Sequence, residues 1–470
     1  MATVLPPPVR TAGARRAALA LPGAATLLAL MNYCAPMTTL SATAAGLGAG
    51  EAARIWLLGG INLGLTATLL VAGSLADDHG RRRVFALGAV ALALASALCA
   101  AAPNAAVFVA GRIAQGAASA ALLAAGLGIL GHAFPGGAER TRATGVWGAM
   151  LSAGIALGPI AASLPVQTVG WRSWYWLAAV LAVPLALGAR LVPESRAGRR
   201  RGLDLPGALT LTAGVTALMT ALTLGRGGWD GPLVIGLLIV AAVLLAAFTA
   251  VELRRREPMV DLRLLRHRGF AAASLGALMT GIAVIGMFSY LSSVLERTLG
   301  LTPLGASVLF VSWSGVAFAV ALQAGRLPVR FTARHRLAVG MLLSGAGQAM
   351  MLGAGPGDTW WRLVPGLVVA GVGSGLANAS LAALAVGSVP ADRAAMGSGA
   401  NNTARYAGAA IGVALVAAIA AAGAGHSASP DALAHGVDLA LAVTAALSLA
   451  TALAVAPMRG SARQVLDEGR

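Results

Sequence analysis

Apolar runs of about twenty residues, bounded by arginine, proline or glycine, recur down the whole 470-residue chain, and no other feature constrains its fold as strongly. A helix needs about 20 mostly apolar residues to cross hydrocarbon, where a helix also satisfies its own backbone without water. Fourteen such runs can be marked out. The first six cover 17–46, 53–76, 84–102, 105–131, 143–166 and 174–192; then come 206–224 and 232–251; the last six cover 270–295, 304–323, 337–353, 363–385, 404–422 and 437–457. Together they use about 280 residues and leave only short connectors, so no sizeable soluble catalytic domain fits. With 58% hydrophobic residues before 61 glycines are added, and 11% charged, a single water-soluble core is excluded. The first run follows Arg10, Arg15 and Arg16 as a signal peptide would, but its length and the thirteen runs behind it predict an uncleaved span.

Charge sets the expected partners and orientation. All 34 basic residues are arginine and the net charge is +17, which invites a nucleic-acid reading at Arg81–Arg83, Arg199–Arg201 and Arg254–Arg256. Each run lies at the end of an apolar segment, where arginine meets anionic headgroups, so membrane lipid and not nucleic acid is the expected partner. Short arginine-bearing loops resist translocation. With the N-terminus inside, 28 of the 34 arginines fall on the cytoplasmic side, which predicts an even number of spans and both termini in the cytoplasm of a bacterial cell membrane. The longest connectors, 193–205 and 252–269, enclose spans seven and eight. The predicted class is therefore an all-α polytopic membrane protein: an N-terminal six-helix bundle (1–192), a linker with two extra transmembrane helices (193–269) and a C-terminal six-helix bundle (270–470). Gly73-Ser-Leu75-Ala-Asp77-Asp-His-Gly80-Arg81-Arg82 and Gly325-Arg-Leu327-Pro-Val-Arg330-Phe-Thr-Ala-Arg334 echo each other in register, as internal repeats of secondary transporters do.

Few residues offer chemistry. Arg112, in Gly111-Arg112-Ile-Ala-Gln115-Gly116, lies well inside the fourth run, and an ionised side chain at membrane depth is expensive unless it faces a cavity or a partner. All seventeen acidic residues fall in loops or at span ends, Glu51, Glu296 and Asp438 coming nearest. Arg112 is thus expected to be satisfied by carbonyls, Gln115 or the Asn32 amide. In the fifth run Gly145, Gly154, Gly158 and Pro159 form a packing and hinge surface. In the loop after the second run Gly73 and Gly80 permit tight turning, and Asp77 can cap a helix or bind arginine beside Arg81 and Arg82. Tyr33, Asn62, Trp147, Met150, Tyr290, Trp313 and Asn378 describe, with Asn32 and Gln115, a mostly uncharged pocket with aromatic faces, suited to a small amphipathic molecule. Each of them individually has the composition of ordinary helix packing as well. Cys34 and Cys99 sit inside apolar runs, and neither a disulfide framework nor a metal site is expected. Paired carboxylates, a nucleophile elbow and a phosphate loop ending in lysine are missing from the sequence, so an enzyme or ATP-driven pump is not expected.

These motifs resemble those of the major facilitator superfamily, in its fourteen-span drug:proton antiporter branch. Gly73-x-Leu75-Ala76-Asp77-x-x-Gly80-Arg81-Arg82 is similar to the loop motif after span two, Arg112-x-x-Gln115-Gly116 to the span-four motif, and Gly145, Gly154 and Gly158-Pro159 to the antiporter signature of span five, with Ala162-Ser163 in place of the usual final glycine pair. Gly170-Trp171-Arg172, Pro193-Glu194-Ser195, Leu203-Asp204-Leu205-Pro206-Gly207, Glu257-Pro258 with Asp261-Leu262, and Asn402-Thr403-Ala404-Arg405 extend the resemblance over most of the chain. The resemblance implies the major facilitator fold and export of hydrophobic or cationic compounds, or of an antibiotic made by the cell, in exchange for protons. The chain departs from the family in reading Asn32-Tyr33-Cys34-Ala35-Pro36 where an aspartate is common in span one.

The expected function is secondary active export of small amphipathic compounds by alternating access, driven by the proton gradient and without a bound cofactor, by a monomer. If protons are exchanged, Glu51, Glu296 or Asp77 must carry them, since titration needs an ionisable group. A metabolite importer of the same fold and a lipid flippase are the alternatives, and a membrane scaffold lacks the extramembrane module it would need.

Overall fold

The computed structural model describes residues 12–134, 137–166, 168–196, 204–225, 228–255, 258, 262–323, 331–388, 394–425 and 429–458. Among these residues the regular structure is helical. Thirteen helices are long and apolar enough to cross a membrane, which makes the chain a multi-pass membrane protein. The eleventh expected span also forms a helix, Ala333–Met350, whose first turn carries Arg334, His335 and Arg336 and so dilutes its hydropathy.

The chain divides into two compact units, Met1–Ala208 and Leu209–Arg470. In the first, α1 (Ala12–Cys34) and α2 (Pro36–Gly46) share the first expected run, and α3 (Glu51–His79), α4 (Arg81–Ala101), α5 (Ala105–Ala133), α6 (Gly137–Val166) and α7 (Arg172–Gly188) follow it. The first run is not one helix, because Pro36 has no amide hydrogen to give to the carbonyl four residues back. α8 (Leu205–Gly225) spans the boundary, and α9 (Pro232–Arg254) belongs to the second unit. Asp204 starts α8 as its cap, its Oδ1 accepting from the Gly207 amide at 2.9 Å. The ninth run is interrupted differently: α10 (Arg268–Met279) passes through a π turn, Thr280–Ile285, into α11 (Gly286–Thr298). Then come α12 (Pro303–Gln323), α13 (Ala333–Met350), α14 (Val364–Gly387), α15 (Ala394–Gly423) and α16 (Pro430–Val455). The echo of the Gly73 loop at 325–334 lies mostly outside the described residues.

Each unit repeats one packing order. In the first, α1 packs on α6, α3 and α4 on α5, and α4 on α7; in the second, the π turn and its flanks pack on α15, α12 and α13 on α14, and α13 on α16. The outer faces are apolar, with Leu87 and Leu94 on α4, Leu177 and Val180 on α7, and Leu233, Ile239 and Val243 on α9 exposed. Water would penalise such faces and hydrocarbon does not.

Candidate functional site

The first unit gathers its chemistry around Arg112. The side chain is 0% exposed. Its Nη1 donates to Asn32 O at 2.8 Å and to Gln115 Oε1 at 2.8 Å, and Nη2 donates to Tyr33 O at 3.4 Å. Asn32 is the residue four before Pro36, so its carbonyl is the acceptor that the proline leaves without an amide. The guanidinium therefore closes the gap in span one, and burial raises the cost of leaving that acceptor bare. The expected contact with carbonyls and Gln115 is observed; Asn32 takes part through its backbone, while its Oδ1 accepts from Trp174 Nε1 at 3.1 Å. Gln115 passes the network on, its Nε2 donating to Ser96 Oγ at 2.9 Å. Four helices, α1, α4, α5 and α7, are joined in this way.

Glycines bring the backbones close enough for it. A β-carbon on Gly64 or Gly116 would collide with Ile113 O or Ile61 O across the α3–α5 contact, and the Arg112 Cβ itself packs over Gly60. On the other side of span one, a β-carbon on Gly154 would lie 2.7 Å from Leu27 O and one on Gly158 2.8 Å from Met31 O. The signature of span five is thus a backbone contact with span one. Thr38 Oγ1, in α2, donates to Pro159 O at 3.2 Å and fastens the second half of the broken span to α6.

The turn between α3 and α4 is held by the expected pairing of Asp77 with arginine and by Glu194, which the sequence offered only as part of a motif match. Asp77 Oδ1 accepts from Arg81 Nη2 at 2.8 Å and Nε at 3.1 Å, and Arg81 Nη1 donates to Gly128 O in α5 at 3.0 Å. Gly80 turns with φ +113°, a conformation that L side chains resist. Glu194 sits over that turn, its Oε1 accepting from the Arg82 amide at 3.0 Å and the Ser195 amide at 3.1 Å. A carboxylate at a helix N-terminus is favoured by the peptide dipoles, and Arg82 and Arg83 lie 3.7 and 3.8 Å from its Oε2. Gly73, expected to permit a tight turn, instead lies within the continuous helix α3, where an added β-carbon would reach Ala124 Cβ at 4.0 Å. The Gly170-Trp171-Arg172 match also gains a function: Arg172 donates to Ala100 O at 3.0 Å and Ala102 O at 2.8 Å, satisfying the end of α4.

Of the other expected site residues, Tyr33 enters this network through its carbonyl. Glu51 begins α3, exposed, with Arg54 at 3.6 Å. Tyr33 and Asn62 are buried, Trp147 is half-buried, and Met150 packs on Gly23. In the second unit Trp313 is buried, stacks on Phe288 with centroids 4.4 Å apart and donates to Ser374 Oγ at 3.0 Å; Tyr290 and Asn378 are half-buried. The surroundings of Gly145 and Glu296 lie outside the described residues. Two buried residues of the second unit were missed. Gln348 donates to Ala283 O in the π turn at 2.9 Å. Arg405, placed at a span end by its sequence, lies inside the membrane-length helix Gly397–Gly423 and is 8% exposed. Its signal was the Asn402–Arg405 match; polar residues before it hid the start of the helix.

The Major Facilitator Superfamily model matches residues 23–413. The puromycin resistance protein of Streptomyces alboniger is 33% identical over 75% of this chain and 71% of its own length. The multidrug resistance protein Stp of Mycobacterium tuberculosis is 33% identical over 77% and 67%, and the probable actinorhodin transporter of Streptomyces coelicolor 33% over 79% and 65%. Among solved structures, a peptide transporter crystallised with sulfate superposes with a TM-score of 0.65 over 94% of this chain and 96% of that one at 16% identity, a likeness of fold. By its helices, its repeated packing order and these matches, the chain belongs to the Major Facilitator Superfamily.

Proposed function

We propose that the chain is a secondary active transporter exporting small hydrophobic or amphipathic compounds, drugs or antibiotics among them, from a bacterial cell. Resistance in the names of two relatives, and transport of actinorhodin in the name of a third, support that substrate class and direction. One structural observation carries the mechanism: span one is broken at Pro36, and both sides of the break are held by other helices, through Arg112 in α5 and through the Gly154–Gly158 face and Pro159 carbonyl of α6. A helix interrupted at mid-length is the kind of element whose halves can move separately in alternating access. Both termini lie in the cytoplasm, the working unit is a monomer contacting lipid and no nucleic acid, and the proton gradient supplies the energy without a bound cofactor. Proton exchange then falls to Glu51, Glu296 or Asp77, the acids near span ends and the loop motif.

The test is a panel of toxic compounds given to cells with and without the protein, with intracellular accumulation measured at two pH values. Lower accumulation in expressing cells, relieved when the proton gradient is collapsed, is expected. Higher accumulation would make the protein an importer, and efflux indifferent to the gradient would remove the antiport.

A further inference from the structure

The chain that follows α9 is held at the level where that span leaves the membrane. α9 buries only Val234, Ala241 and Glu252, so its other faces meet lipid up to its last turn. Beyond it a single helical turn, Leu262–Arg266, leads into α10. Arg263 Nη2 donates to Leu253 O at 3.1 Å, which satisfies a carbonyl at the end of α9 and fixes the turn beside it, at the boundary of hydrocarbon and water. On the inner side Leu264 packs on Phe270 of α10 and Ala400 of α15. The outer side is open: Leu253 and Leu265 are exposed, and so are Arg254, Arg266 and Arg268. Residues 252–269 carry six arginines against three acids. The arginines at 81–83 show what a committed guanidinium does, since Arg81 bonds Asp77 and Gly128 O and the next two lie beside Glu194. Arg254, Arg266 and Arg268 form no ion pair with a described carboxylate.

We propose that this edge of the second unit, where α9 meets α10, is a binding site for an anionic phospholipid: Arg254, Arg266 and Arg268 meet its headgroup phosphate, and its acyl chains lie along α9 beside Leu253 and Leu265. Exposed leucines among uncommitted arginines are the composition of a segment seated in the headgroup region, where each arginine contributes about 1 kcal/mol toward an anionic surface. Guanidinium matches phosphate in shape and charge, whereas a choline headgroup brings a cation of its own that the arginines repel. Leu264 ties the occupied edge to α10 and α15, so a lipid held there steadies the approach to span nine. The proposal stands on the membrane-spanning fold and is independent of the export reading.

The test offers the purified full-length protein phosphatidylglycerol and phosphatidylcholine with the same acyl chains and counts the retained lipid by native mass spectrometry. Phosphatidylglycerol should be preferred about tenfold or more, since two arginines at about 1 kcal/mol each are worth about thirtyfold. Arg266→Gln should lower that preference severalfold, and Arg254→Gln, Arg266→Gln and Arg268→Gln together should nearly abolish it. The same charge removed from exposed positions of the first unit, by Arg16→Gln, Arg190→Gln and Arg196→Gln together, should leave it intact. Equal loss in both triple variants would mean that total charge selects the lipid and would overturn the site. So would a wild type that retains the two lipids alike, or an unchanged preference in the 254, 266 and 268 variant at the wild-type thermal midpoint. A readout that needs no variant is amide hydrogen exchange in nanodiscs. Exchange over 262–270 should slow severalfold in phosphatidylglycerol relative to phosphatidylcholine, and identical exchange in the two would place the lipid elsewhere.

Discussion

Span one and span nine occupy the same place in the packing order of their units, and both are interrupted, but by different chemistry. In span one Pro36 deletes an amide permanently, and the stranded Asn32 carbonyl is met by a charged donor, Arg112. In span nine nothing is deleted. The Thr280–Ile285 π turn keeps every amide and widens the spacing of its bonds, and the neutral Gln348 meets Ala283 O. Thr280 Oγ1 adds a contact to Met341 Sδ at 3.4 Å, and glycines on both sides, Gly281 and Gly286 against Gly408 and Gly412, let α15 press on the turn. A proline gap cannot be healed by any change of conformation, whereas a π turn can pass into an α turn by a shift of register. The first unit therefore carries a fixed joint with a permanent charged partner, and the second a convertible one with a neutral partner. The donor matches the defect, since charged donors bond more strongly than neutral ones.

Three substitutions break or sharpen this contrast. The largest effect is expected from Arg112→Ala, which uncovers Asn32 O, Tyr33 O and Gln115 Oε1 together. At about 1–3 kcal/mol for each buried group left bare, export should fall by about a hundredfold or more while the protein still inserts. Unchanged efflux at equal expression would remove Arg112 from the mechanism. Gln348→Leu uncovers a single carbonyl, at about 1–3 kcal/mol, and leaves the π turn free to relax. Export should drop severalfold, with altered amide hydrogen exchange over 278–288; exchange identical to the wild type would show that Gln348 does not hold the turn. Pro36→Ala restores an amide for Asn32 O to receive and makes Arg112 redundant there. A thermal midpoint equal to or above the wild type, about 1 kcal/mol at most, should accompany slower export. A lower midpoint with normal export would mean that the break contributes packing and not motion.

Much of the fold was open to inspection along the sequence, because hydrocarbon thickness imposes one length on every span. The boundaries of 105–131 and 232–251 differ from the observed helices by only a few residues. The splitting of 17–46 was hidden, since Pro36 lies in a run whose apolar composition does not change across it. The depth of Arg405 was hidden for the opposite reason: polar residues at 397–402 mask a helix that begins at Ala394. Arg112 stood out as a lone charge, yet its partner is a carbonyl 80 residues earlier in the chain. Glu194 could be matched to a family motif, but its purpose depends on a turn 112 residues away from it.

Hydropathy, charge and small-residue spacing settled by themselves that this chain crosses the membrane many times, as paired helical bundles, with one guanidinium in need of an explanation. They do so because the cost of exposing polar groups to lipid is paid locally, residue by residue. Which carbonyl that guanidinium serves, that a second is buried in the other unit, and how each interrupted helix is mended depended on the tertiary structure. Hydrogen-bond partners are chosen by proximity in space, and periodicity along a chain carries no record of it.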